Sequence, residues 1–328
     1  MSEPVQDIDC NIDTVEKLVE AYRKMGGYVA RHLAEAAEIF VEMLQDPDAV
    51  VMMSFTANLV ATGLRGLIAD MIRRGFVDVI ITTAGTLDHD IARAQGGQYL
   101  VHTFDTDDVK LREEGYHRIG NIIVRFEHYG QLIEKTVHKV LDELVNARGI
   151  TRIGVRELVW HVGSMLQDEN SILRMAYLHK VPIYVPGFVD GAFGTAIVTF
   201  NEMQRARSRP QVTVDVLKDE RELMEIVYSA KRLGGLIVGG GISKHHLIWW
   251  SQFREGLDYA IYVTTAVEWD GSLSGARPRE AITWRKLKPT AKNVYVFADA
   301  TVVLPIIAAY ALTKLKSRAR RRLECLDT

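Results

Sequence analysis

Cysteine is almost absent from this chain: there are two in 328 residues, Cys10 and Cys325. They lie near opposite ends, which excludes a disulfide framework or a CxxC metal site and favours a reducing compartment. Net charge is scarce as well. The 40 basic and 42 acidic side chains leave −2, whereas a protein that coats nucleic acid or an anionic membrane usually carries a basic surplus. Long apolar runs are missing. The longest, Ala300 to Leu312, is too short to span a bilayer and contains Pro305. The N-terminal MSEPVQDIDC is acidic and has no apolar signal core. These absences lead us to expect a cytoplasmic protein with neither nucleic acid nor membrane as partner. GxGxxG, a Walker Lys-Ser/Thr pair and HExxH are also lacking, and no metal site is expected.

What is present is an ordinary globular balance, 48% apolar and 25% charged, long enough to bury a large core without staples. Its charge is unevenly laid out. Residues 1–20 hold six acids against Lys17, while residues 314–322 hold six bases, Lys314, Lys316, Arg318, Arg320, Arg321 and Arg322. Removing those six from the 40 basic residues leaves 34 against 42 acids. The basic cluster reads as the solvated end of the last helix.

Apolar residues recur at helical spacing in residues 14–46 on both sides of Gly26-Gly27, which predicts two helices. AVVMMSF (49–55) is continuously apolar, as in a parallel strand buried on both faces. A helix is expected from about Leu59 to Arg74, a strand at Val77–Thr82 and a helix near Asp88–Gln95. The rhythm returns at Val181–Val185, Gly235–Val238, Tyr259–Val263 and Asn293–Phe297, with a closing helix from Ala300. Alternation of this kind predicts an α/β fold, a mostly parallel sheet flanked by helices on both faces. Residues 1–48 are expected to form a helical segment packed on a main domain of residues 49–328. No flexible linker, low-complexity tract or convincing repeat interrupts it.

Ligands of such sheets bind at the carboxyl ends of the strands. Gly239-Gly240-Gly241 follows an apolar strand and opens a helix, which suits close backbone approach to a phosphate, or simply a tight turn. Lys244-His245-His246 comes next, and a neutral His245 suits a proton shuttle as well as a solvent-facing helix start. The loop EWDGSLSGARP (268–278) is rich in small residues that can wrap a ligand, and its Trp269 is unusual for a purely solvated loop. Lys286 lies two residues after Trp284. A lysine desolvated beside an indole loses basicity and becomes a candidate amine nucleophile, though a surface lysine beside a core tryptophan gives the same heptapeptide.

Taken together, GGGISKHH, DYAIYVTTAVEWDGSLSGARPREAITWRKLK and VYVFADATVVLP resemble the deoxyhypusine synthase family. FTANLVATGLR, VDVIITTAG, GYHRIGN and VPGFVDGAFG fall in the family's order, so the resemblance spans about residues 50–312. It implies a Rossmann-like NAD-binding fold and a homotetramer with sites at dimer interfaces. It also implies hypusine biosynthesis. NAD oxidises spermidine, the aminobutyl group forms an imine with an enzyme lysine, and it passes to one lysine of the hypusine-containing translation initiation factor.

Residue by residue, the resemblance makes Lys286 the imine-forming lysine and His245 the proton carrier. Glu280, Tyr262 and Trp284 line the amine site. Asn58, Thr83, Ala84, Gly85, Asp190, Gly239, Gly240, Gly241, Thr265, Ala266, Asp270, Gly271, Ser274 and Asp299 match the NAD shell, and Asp190 is also placed beside the substrate. Either Asp270 or Asp299 is a candidate acceptor for ribose hydroxyls.

Several positions depart from the family pattern. His89 stands where a substrate-handling glutamate is expected, within Gly85-Thr86-Leu87-Asp88-His89-Asp90. Thr195 and Leu273 replace aspartates, and Trp249 replaces an asparagine after the histidine pair. A protonated triamine wants several carboxylates, because a buried ammonium without a partner is costly. Asp88 and Asp90 are candidates to supply charge from a shifted position. Spermidine is the default donor. Homospermidine-synthase-like transfer to putrescine, use of another amine such as agmatine, a non-catalytic paralog and a generic dehydrogenase are the alternatives. The acidic N-terminus reads either as a cover over a neighbouring subunit's site or as a disordered tail.

Overall fold

The computed structural model describes residues 4–319 and 323. The chain forms two compact units. One comprises Met1–Phe55, Arg74–Ile81 and Leu223–Thr328, the other Thr56–Arg73 and Thr82–Glu222.

The first unit begins with the two expected helices, Val15–Met25 and Tyr28–Gln45. The Thr14 hydroxyl caps the first by accepting from the Lys17 amide at 3.2 Å. Gly26 ends it at φ +68°, a left-handed cap that glycine adopts without strain. Ala49–Phe55 is a strand with every residue buried. Five strands of the parallel sheet lie in this unit, in the order Leu287–Phe297, Leu257–Thr264, Arg232–Val238, Ala49–Phe55, Val79–Ile81.

Two adjacent glycines show how helices cover both faces. A Cβ on Gly234 would lie 2.2 Å from Met43 Sδ of helix Tyr28–Gln45, and one on Gly235 would meet Leu247 of helix Gly241–Ser251 at 3.4 Å. Neighbouring strand residues point to opposite faces, so these helices cover opposite sides of the sheet. The helix Ala300–Lys314 packs against Tyr28–Gln45.

The basic cluster is a solvated helix end only in part, at Lys314 and Lys316, which are exposed; Arg318 is not. The last helix stops at Lys314, which pairs with Glu16. The chain then returns, and the guanidinium of Arg318 donates to Asp78 Oδ2 at 2.8 Å and to the Ala49 carbonyl at 2.6 Å. Both side chains of that pair are buried. Coulomb attraction in a dry site outweighs the exposure that a run of bases suggests. Arg320, Arg321 and Arg322 lie outside the described residues.

The second unit holds helices Leu64–Arg73, Ala84–Ala94, Gly130–Asp142, Val155–Met165, Ile172–Leu178 and Ala192–Ala206. The helix expected from Leu59 starts at Leu64, because the Thr62 hydroxyl accepts the Leu64 amide and caps it there. The helix near Asp88 begins earlier than expected, at Ala84. A three-stranded antiparallel sheet, Tyr99–Val101, Ile122–Arg125 and Tyr116–Ile119 in that spatial order, adds to the predicted rhythm. Among the described residues, no helix is long and apolar enough to cross a membrane.

Candidate active site

Lys286 sits at a sharp reversal. The short helix Glu280–Thr283 ends at Trp284, and Arg285 turns the chain through the left-handed region at φ +57°. The Lys286 amide then bonds the Ala281 carbonyl at 2.9 Å before the strand starts at Leu287. A non-glycine residue in that conformation is uncommon and is held by its surroundings. The turn buries Lys286, and its Nζ lies 5.3 Å from the Trp284 ring centre and 5.6 Å from that of Trp249. Burial lowers the basicity of the amine.

The facing wall is the helix Gly241–Ser251. Strand Arg232–Val238 leads into Gly239 and Gly241, both at positive φ, +85° and +65°. Gly240 is pressed against the 268–278 loop, where a Cβ would lie 2.2 Å from Ser274 Oγ. That hydroxyl accepts the Gly241 amide at 3.1 Å. One turn into the helix, His245 is exposed and stacks on Trp249, four residues later on the same face, at 5.7 Å and 26°. Desolvation, and then the nearby Lys286 charge, hold its imidazole below the ordinary histidine value.

Lys286, His245, Glu280, Trp284, Tyr262 and Gly271 line one cavity of about 280 Å³. Two residues the sequence reading did not assign a role join them. Trp249 was noted only as a departure. Lys244 is buried, its Nζ 4.4 Å from the Tyr262 ring centre and 2.9 Å from the Ala276 carbonyl to which it donates. Burial lowers its pKa to about 8. The Tyr262 hydroxyl is itself buried and has no hydrogen-bond partner among the described residues. The signals were there: Lys244 adjoins His245, and Trp249 lies at i+4 from it.

The remaining predicted residues fall as follows. Thr265, Ala266, Asp270, Ser274 and Asp299 follow strands or lie in loops of the first unit. Asp270 accepts from the Ser272 amide and Asp299 from the Thr301 amide, each through Oδ1. Trp269 lines a different, larger cavity of about 520 Å³, with Tyr28, Tyr295 and Phe297. Asn58, Thr83, Ala84, Gly85, His89 and Asp190 belong to the second unit. There Asn58 and Asp190 are exposed. Gly85 lies so near Ala57 that a Cβ would approach its methyl to 2.8 Å.

His89 is buried among aromatic rings, bonded through Nδ1 to the Tyr99 hydroxyl at 2.8 Å and 5.4 Å from the Tyr129 ring. Burial, and then Arg93, push its pKa down to about 4, so it is neutral at physiological pH. Its neighbours are committed to structure. Asp88 accepts the amides of Ala192 and Phe193 at the start of a helix. Asp90 accepts from Arg65, the Ser171 hydroxyl and the amides of Ile172 and Leu173. Thr195 turns its hydroxyl back to the Gly191 carbonyl.

Residues 17–311 match the family model described as deoxyhypusine synthase. The chain is 53% identical over 317 residues to a protein of Ignicoccus hospitalis named "Probable deoxyhypusine synthase", covering 96% of this chain and 98% of that one. A protein of the same name from Pyrobaculum aerophilum is 52% identical over 294 residues, 89% of this chain and 99% of its own. Among solved structures, that of "a putative deoxyhypusine synthase from Entamoeba histolytica" superposes with a TM-score of 0.63 at 21% identity, over 97% of this chain and 99% of that one, a likeness of fold. A matched model across most of the length and relatives at half identity establish that this chain belongs to the deoxyhypusine synthase family.

Proposed function

We propose that the protein transfers the 4-aminobutyl group of spermidine, through an imine on Lys286, to a lysine of the hypusine-containing translation initiation factor. The observation that carries this reading is the Lys286 amine: buried, of lowered basicity and open to a cavity that also holds His245 and Glu280. Imine formation needs a neutral amine at the moment of attack, and burial supplies it without an acid-sensitive partner.

NAD, bound in the reaction, supplies the two-electron oxidant that makes the substrate carbon electrophilic and later returns those electrons. The glycine turn fits such a group. Two positive-φ glycines open the helix Gly241–Ser251, and nothing lies within 4 Å of where a Gly241 Cβ would stand, so an anionic phosphate has room at the amide-rich end. Asp270 or Asp299 is the carboxylate we assign to the ribose side. The chain's own groups do the rest. Lys286 Nζ attacks the oxidised carbon, the C–N bond to 1,3-diaminopropane breaks, and that amine leaves with the proton His245 carries. The acceptor lysine displaces Lys286 in the same manner, restoring it. Glu280 holds an ammonium of the substrate, and the indole of Trp284 covers its methylenes. We place the reaction in a homotetramer in the cytoplasm.

Incubation with NAD and labelled spermidine, then borohydride, should fix label on Lys286, and Lys286→Arg should abolish it because a guanidinium does not deprotonate. Label elsewhere, or undiminished in the variant, overturns the reading. A second reading, transfer to putrescine as in homospermidine synthesis, or use of agmatine, is favoured by one observation. Among the described residues, Glu280 is the carboxylate lining the cavity, and Asp88 and Asp90 are already bonded elsewhere. Label recovered in homospermidine and not in the translation factor would select it.

A further inference from the structure

Two indoles lie near the Lys286 nitrogen. Trp284, its neighbour in sequence, lies 5.3 Å away, and Trp249, from the helix opposite, lies 5.6 Å away. Both distances are within the reach of a cation–π contact, which is strongest for tryptophan and grows as the cation loses water. Lys286 is buried, so that condition is met. Trp249 is 42% exposed but has ring partners of its own. Its ring stacks on His245, and Phe253 meets it edge-on at 6.0 Å from the next turn. Leu273 and Ile248 add apolar surface to the same cavity.

We propose that Trp249 and Trp284 form an aromatic clamp that holds the protonated imine on Lys286, so that this site stabilises its covalent cation with ring faces where a second carboxylate would otherwise be needed. This rests on Lys286 being the imine-forming residue. The free amine and the imine respond differently to the clamp. The amine must be neutral to attack, and the apolar rings help desolvate it. Once the amine nitrogen has displaced the leaving amine at the carbon, the nitrogen of the imine carries a proton and a positive charge. A protonated imine is a weakly hydrated, flat cation. It gives up little on leaving water and gains the quadrupole of each ring. Because the rings supply no formal charge, the clamp raises the basicity of the free lysine less than a carboxylate would. Trp249 is therefore a positioning and specificity residue: it selects a substrate whose reacting segment is a slender, unbranched chain able to pass between two indoles. Through its stack on His245 it also fixes the proton carrier against the same nitrogen.

The test bypasses the cofactor. The full-length protein is treated with butanal and cyanoborohydride, and the alkylated fraction of Lys286 is followed by mass spectrometry across pH. The exposed lysines of the same protein serve as the control, and alkylation of Lys286 no greater than theirs at neutral pH would mean that the underlying assignment of Lys286 fails, whatever Trp249 does. With Lys286 confirmed, Trp249→Leu should lower imine accumulation about tenfold, equivalent to roughly 1.4 kcal/mol, and move the pH optimum of alkylation. Trp249→Phe, which keeps a ring face, should recover most of the loss. Isobutyraldehyde, branched beside the carbonyl, should react poorly with the wild type and gain relative to butanal in Trp249→Leu. If Trp249→Leu and the wild type accumulate equal adduct with the same aldehyde preference, the clamp is refuted. If Trp249→Leu fails to fold, Trp249→Phe decides: a fall there to the level of the exposed lysines is also contrary to the proposal, and near-wild-type behaviour with retained selectivity supports it.

Discussion

Lys244 offers the sharpest physical test of the cavity floor. Its side chain is buried, faces the Tyr262 ring, and has one hydrogen bond, to the Ala276 carbonyl. Desolvation lowers its pKa from 10.5 to about 8, against a smaller opposing pull from Glu280. A lysine depressed in the folded state binds fewer protons there than in the unfolded chain, so it destabilises the fold wherever the unfolded side chain is charged. The cost is full below pH 8 and relieved as pH rises toward 10.5. At about 1.4 kcal/mol per unit, it amounts to roughly 3 kcal/mol. Lys244→Met removes the charge and keeps much of the volume, while losing a hydrogen bond worth about 1 kcal/mol. The variant should therefore be more stable than the wild type by about 2 kcal/mol at pH 7, and the difference should shrink and change sign between pH 8 and 10.5. Urea unfolding of both proteins at one fixed protein concentration, repeated across that range, measures the gap. A gap independent of pH would show that Lys244 is not desolvated in the manner described. A buried cation that weakens its own fold at neutral pH, yet lies in one cavity with His245 and Lys286, is the pattern of a group retained for a site.

Three further outcomes are expected. Asp90→Asn should lose about 1–3 kcal/mol in urea unfolding, because the buried Arg65 keeps Asp168 but loses one of its two carboxylates, and the new amide NH₂ faces donors that the carboxylate accepted. A loss under 1 kcal/mol would contradict its place as a hub. Gly240→Ala should weaken dinucleotide binding at least tenfold by calorimetry, since its Cβ would overlap the Ser274 backbone and side chain, and unchanged binding would detach the turn from the cofactor. The acidic limb of the pH–rate profile should lie below the ordinary histidine value of 6.5, because His245 is held down and stays a neutral acceptor to lower pH; a limb above 6.5 would argue against it as the proton carrier.

What could be read from the sequence was what local pattern encodes. The strand Ala49–Phe55 announces itself because a parallel strand covered on both faces is apolar throughout. The break at Gly26 is legible because a left-handed cap favours glycine. The antiparallel sheet of 99–125 was not foreseen: its strands are three or four residues long, and Tyr99–Val101 and Tyr116–Ile119 are largely half-buried or exposed. Neither gives an apolar run or a firm alternation. Within the site, Lys286, His245 and Glu280 were placed by motif, and the cavity gathers them. Lys244 escaped because desolvation is a tertiary property. Arg318 was misread for the same reason: its carboxylate partner Asp78 is 240 positions away.

The acidic composition of the chain invites the inference that carboxylates receive the amine, and the structure redirects it. Glu16 pairs with Lys314, Asp78 with Arg318, Asp90 with Arg65 and Glu222 with Arg156. Asp88 spends its oxygens on backbone amides. Such acids neutralise internal cations or cap helices, and their charge is unavailable to a ligand at short range. At longer range it contributes only a screened field, which fades over about 8 Å at physiological salt. Acids committed in this way give a charged ligand a weak field and no partner at short range. In the reaction we propose, the Lys286 cavity offers the amine Glu280 and the indoles of Trp249 and Trp284, which attract positive charge without a negative one. That division fits the chemistry we propose for the lysine: a second carboxylate close to Lys286 would hold its amine protonated more strongly than ring faces do, and the rings still favour the cation that follows.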